Sequence, residues 1–94
     1  MNKVIEELLS EYLAGQDVSD HTRRALRCDL KKLVHWFEQA NQEPFSLDRV
    51  TVQDVADFRD HLRDVRHQSV STINRALVLL RGFFDAAGAV LKVQ

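Results

Sequence analysis

One proline and three glycines are spread over 94 residues. So few turn formers argue against a domain built of hairpins, and therefore against an all-β fold. The single cysteine, Cys28, has no second cysteine to bond, which speaks against an extracellular scaffold held by disulfides. No apolar run reaches the roughly 18 residues needed to suggest a membrane span. The opening stretch MNKVIEELLSEYL is acidic and amphipathic, unlike a signal peptide. A cytoplasmic protein that does not engage a membrane is expected. Net charge is nearly absent as well: 13 basic against 14 acidic residues leave -1. The total therefore announces no nucleic-acid partner.

Motifs for chemistry are also missing. There is no glycine-rich phosphate loop. His21, His35, His61 and His67 form no i, i+4 pair around a glutamate, so the zincin pattern does not occur. His21 and Cys28 could share a helix face, but two ligands do not make a metal site. No nucleophile stands beside a base at motif spacing. No catalytic residue, metal or cofactor is expected.

What the chain does have is helical periodicity. In the stretch 69–87, SVSTINRALVLLRGFFDAA, the residues Ile73, Ala76, Leu77, Leu80, Phe83, Phe84 and Ala87 recur at spacings of three and four. They form one wide apolar stripe that must be buried. Ser69 suits the N-cap and Gly88 the C-terminal stop. The opposite face carries Ser71, Asn74, Arg75 and Val78.

Three further helices are predicted. The first spans about residues 2–14, with Val4, Ile5, Leu8, Leu9, Tyr12 and Leu13 on its apolar side and Gly15 at its end. The second starts after Ser19 and runs to about residue 40, with Leu26, Leu30, Leu33 and Phe37 inward, flanked by Val34 and Trp36. A loop at 41–50 contains Pro44 and tucks Phe45 and Leu47 under itself. The third starts after Thr51, with Asp54 completing a capping box. Its predicted buried face is Val52, Val55, Phe58, Leu62 and Val65; its outer face is Asp54, Asp57, Asp60 and Asp64. Short connections make this an all-α, compact orthogonal bundle of four or five helices.

Charge is segregated along this frame. Residues 1–18 and 41–64 are net acidic, whereas 19–40 and 65–94 are net basic. On the second helix Arg24, Arg27 and Lys31 share one face, joined lower down by His35 and Glu38. Three cations on neighbouring turns repel one another. That arrangement suits an anion, although a solvated face would carry it too. The polar residues at the start of the fourth helix suit base edges and phosphates.

Three segments, in order, resemble the N-terminal core-binding (SAM-like) domain of phage integrases and other tyrosine recombinases. Ser19-Asp20-His21-Thr22, then Asp29-Leu30, Leu33 and Trp36-Phe37, looks like the family's opening helix, with Leu26 where a tyrosine is common. Val50-Thr51, Asp54-Val55 and Phe58 look like its "V-T-x-x-D-V-x-x-F" segment. Ser69 to Arg75, with Leu80-Arg81 and Phe83-Phe84, looks like "L-S-x-S-T-I-N-R … L-R-x-F-F". The resemblance implies a core-binding domain at 1–88 and the start of a linker at 89–94, leading towards a C-terminal catalytic domain that the sequence does not contain. It implies that the second and fourth helices face the major groove of double-stranded DNA, while the catalytic domain of the same parent chain grips the other side. Other recombinase protomers on the DNA would be further partners. The implied DNA-binding residues are Thr22, Arg24, Arg27, Lys31, Ser71, Thr72, Asn74 and Arg75. The family's catalytic residues lie in the other domain, and Tyr12 does not match the motif of its nucleophile. The rival is a helical protein-interaction module that uses an exposed Val78 and Leu79 with the acidic face of the third helix.

Overall fold

The computed structural model describes residues 3–88. Four helices follow one another: α1 (Lys3–Ala14), α2 (Asp20–Asn41), α3 (Val52–Asp64) and α4 (Val70–Ala86). No strand occurs among the described residues, so the predicted all-α architecture is the one that forms. The expected start at Asn2 and the tail 89–94 lie outside the described residues.

α4 touches all three other helices. Its stripe Ile73, Ala76, Leu80, Phe83 and Phe84 is buried. Removing each large apolar side chain of this kind from water is worth about 1.5–3 kcal/mol. Gly82 sets how closely α1 can approach: a β-carbon there would stand 3.1 Å from the Tyr12 hydroxyl oxygen. The Tyr12 ring therefore lies against α4, edge-on to Phe83 at 5.8 Å between centroids. α4 stops where Gly88 takes a φ of +73°, a left-handed conformation that glycine adopts without a steric penalty.

α2 contributes Leu26, Leu30, Leu33, Val34 and Phe37 to the core. It runs on to Asn41, whose side-chain amide donates to the Phe37 carbonyl at 3.1 Å. The following loop folds back under the helix. Phe45 is buried with its ring edge-on to Phe37 at 5.3 Å, and its N–H donates to the Glu38 carboxylate at 2.9 Å. Leu47 packs beside it, half-buried.

α3 opens with the predicted capping box. Asp54 N–H donates to Thr51 Oγ1 at 3.0 Å, and Thr51 N–H donates to Asp54 Oδ2 at 2.9 Å. Two of the orphan donors at the helix start are thereby satisfied. This corrects one expectation: Asp54 is buried and faces its own cap, so the outer acidic face consists of Asp57, Asp60 and Asp64. Three valines also depart from the predicted core. Val4, Val52 and Val65 are exposed. Val4 and Val52 lie off the centre of their stripes on the helical wheel. Val65 follows the last turn of α3, past the helices that would cover it.

Thr51→Ala removes half of the capping box and is expected to cost about 1 kcal/mol. In a domain of this size that is about 4–8 °C in melting temperature. Thr51→Ser should keep most of the loss from appearing. Thermal unfolding followed by circular dichroism checks both.

Candidate nucleic-acid interface

α2 and α4 begin with the same local device. Ser19 and Ser69 have extended backbones, with φ and ψ of -67° and 159° and of -70° and 158°. Each accepts a hydrogen bond from the backbone N–H three residues on, Thr22 and Thr72, both at 3.2 Å. Each then donates its own hydroxyl proton to the side-chain oxygen of that threonine, at 3.1 and 2.9 Å. Thr22 and Thr72 are thus held in place by the caps, and each keeps its own hydroxyl proton to donate outward. Thr22 is half-buried and Thr72 exposed. Ser71 is exposed, with its hydroxyl 3.4 Å from Ser69 Oγ.

The structure places the remaining candidates as follows. Arg24 and Lys31 are exposed and Arg27 is half-exposed on the outer face of α2. Arg24 and Arg27 line one cleft of about 310 Å³ together with Ser10, Leu13 and Ala14 of α1. Asn74 and Arg75 are exposed on the outer face of α4. α2 and α4 pack directly against each other. Among the described residues no hydrogen bond joins the side chains of one set to those of the other.

Electrostatics separates these faces from α3. Every ion pair among the described residues lies on α3 or in the loop before it: Arg49–Glu43, Arg59–Asp60, Arg63–Asp60 and Arg63–Asp64. The Arg63 guanidinium holds the Asp64 carboxyl below its ordinary range by hydrogen bonding to it. Arg24, Arg27, Lys31 and Arg75 have no such partner among the described residues. The acidic helix spends its two arginines on its own aspartates and stays net acidic, while the cations of α2 and α4 named above remain unpaired among the described residues.

Two features were not foreseen. Arg23, adjacent to the basic stripe, points back to α1. Its guanidinium donates to the Leu13 carbonyl at 2.7 Å and to the Gln16 carbonyl at 2.8 Å. A cation at a helix C-terminus satisfies orphan carbonyls and complements the helix dipole. The second is a cleft of about 240 Å³ between α2 and α3, lined by Lys32, His35, Trp36, Phe58, His61 and Arg66 among others. Its floor is aromatic: Trp36 lies 5.6 Å from Phe58, and His61 stacks on Phe58 at 6.5 Å. Lys32 belongs to this cleft and not to the outer stripe. It acts on Asp29, whose half-buried carboxyl is raised by burial and pulled back by Lys32.

Tyr12 is half-buried between α1 and α4, so its place in the fold is a packing one. Leu79 also packs against the core. This corrects its expected exposure and leaves Val78 as the exposed apolar residue of that pair. No helix among the described residues is long and apolar enough to cross a membrane.

The family described as phage integrase, N-terminal SAM-like domain, matches residues 5–89. No curated protein and no solved structure matches the chain.

Arg23 and Arg24 are neighbours with different tasks, and substitution separates them. Arg23→Ala is expected to cost about 1–3 kcal/mol, because two hydrogen bonds from a charged donor are lost. Arg24→Ala should stay within about 0.5 kcal/mol. Thermal melts of the two variants side by side check this. Equal melting temperatures would show that Arg23 does not tie α1 to α2.

Proposed function

The chain belongs to the phage integrase N-terminal SAM-like domain family, and from that membership we propose that it binds double-stranded DNA at a recombination site. It would act as the N-terminal half of a tyrosine recombinase clamp, working in the cytoplasm with residues 1–88 as the binding domain and 89–94 leading on. Its partners are then the DNA, the catalytic domain of the same parent chain and other protomers on the same site. The observation that carries DNA binding is the set of cations on α2 and α4 without carboxylate partners among the described residues, set against an α3 that pairs its own.

Each residue has a task that follows from its position. Arg24, Arg27 and Lys31 lie in a row along α2, which suits a phosphate backbone. Thr22, Ser71 and Thr72 offer hydroxyl protons in first turns, where free backbone N–H groups and the helix dipole also favour phosphate. Asn74 and Arg75 sit one turn further along α4. Asn pairs with adenine edges and Arg with guanine edges. The aspartates of α3 repel phosphate, so α3 faces away. A protein-interaction role through Val78 and Leu79 has less to support it, because Leu79 is half-buried against the core and leaves Val78 as the exposed member of the pair.

The two helices respond differently to substitution. Replacing Arg24, Arg27 or Lys31 with Ala should weaken binding to all duplexes alike and lower the slope of log affinity against log salt by about one unit each. Replacing Asn74 or Arg75 should cost about 1–3 kcal/mol on a preferred duplex and much less on a scrambled one. The measurement is affinity for both duplexes at several salt concentrations. Unchanged salt slopes in the α2 variants would remove DNA binding from this surface.

A further inference from the structure

The outer face of α4 presents Ser71, Asn74, Arg75 and Val78 at i, i+3, i+4 and i+7, a single stripe two turns long. Three of the four are polar. The fourth, Val78, is 69% exposed. The other exposed valines are explained by where they stand. Val4, Val52 and Val70 lie in the first turn of their helices, Val65 caps the end of α3, and Val18 precedes the cap of α2. Val78 stands in the middle of α4 and faces outward.

Folding does not ask for a valine there. A β-branched side chain is a poorer helix former than alanine or a straight polar chain. Nor is Val78 the edge of a larger apolar patch, because its neighbours Leu77 and Leu79 are half-buried against the core. One valine offers far too little area for a stable protein interface. Its neighbours on the helix face are Asn74 and Arg75 one turn before it, Ser71 two turns before, and Arg81 and Asp85 after it; all are polar, and the turns before it hold the residues suited to base edges.

A helix lying in the major groove reads bases from one stripe with this same i, i+3, i+4, i+7 spacing. Each base pair shows a distinct pattern there, and thymine alone of the four bases shows a methyl group. We propose that Val78 is a specificity residue whose two methyl groups pack on the 5-methyl of a thymine. This rests on the DNA-binding function proposed above and adds a base to it. Val78 lies one helical turn from Asn74, a rise of about 5.4 Å. Base pairs are about 3.4 Å apart. The thymine therefore lies one or two base pairs from the purine met by Asn74 or Arg75.

The test removes only the methyl group. The chain selects preferred duplexes from a random pool, and the best is remade with deoxyuridine in place of thymidine, one position at a time. At one position the change is expected to weaken binding about fourfold, the worth of one methyl group taken out of water. Val78→Ala should bind the thymine and uracil duplexes equally, and should bind the uracil duplex as well as the unsubstituted protein does. Its melting temperature, measured alongside, should not fall. A Val78→Ala variant that keeps the fourfold preference overturns the assignment, because another group then reads the methyl. So does a duplex with no sensitive thymine, and so does a pool bound without sequence preference. A pool not retained at all in low salt removes the DNA-binding function itself, an outcome distinct from the others.

Discussion

Everything in this bundle depends on burying one stripe of α4. Ile73, Ala76, Leu80, Phe83 and Phe84 need cover from more than one direction, and α1, α2 and α3 each supply a face. Packing a helix against three others leaves it one free side. On α4 that side carries Ser71, Asn74, Arg75 and Val78 in its first half and Arg81 and Asp85 beyond them. The same constraint that builds the core thus decides which side chains of α4 can meet a partner. The close approach at Gly82, where the Tyr12 hydroxyl lies against the α4 backbone, belongs to the same requirement.

Charge completes the division of labour. An exposed ion pair adds little to stability, yet pairing decides which charges remain to act at a distance. Arg59 and Arg63 are spent on Asp60 and Asp64, so α3 has no arginine left to meet an anion and stays net acidic. Arg24, Arg27, Lys31 and Arg75 are not spent in this way among the described residues. A chain with net charge -1 can therefore present a basic surface, because a local field follows the arrangement of charges and not their sum. The serine caps of α2 and α4 add to that surface. Each fixes a threonine hydroxyl at a helix start, the positive end of the helix dipole.

The parts of this structure that obey local rules could be read from the sequence. Ser19, Thr51 and Ser69 cap the helices they were expected to cap, because a cap needs only a hydroxyl and the first turn after it. The core stripes of α2 and α4 follow from periodicity alone. Contacts between elements could not be read in the same way. Arg23 looks like one more cation beside Arg24 until α1 brings the Leu13 and Gln16 carbonyls to it. Leu79 looks exposed on its own helix and is covered by the core. Val52 and Val65 fit a stripe by residue type and lie where no neighbour reaches. The aromatic cleft between α2 and α3 draws on residues about 25 apart in the chain, beyond the reach of any single-helix pattern.

Backbone amide shifts of the labelled chain, followed by NMR during titration with a short duplex in low salt, report which helices meet DNA. The largest changes are expected along the outer faces of α2 and α4, at Thr22, Arg24, Arg27, Lys31, Ser71, Thr72, Asn74 and Arg75. Asp57, Asp60 and Asp64 of α3 and the glutamates of α1 should stay still. Changes centred on α3 or α1, or none at all with duplex in excess, would contradict DNA binding through these two faces.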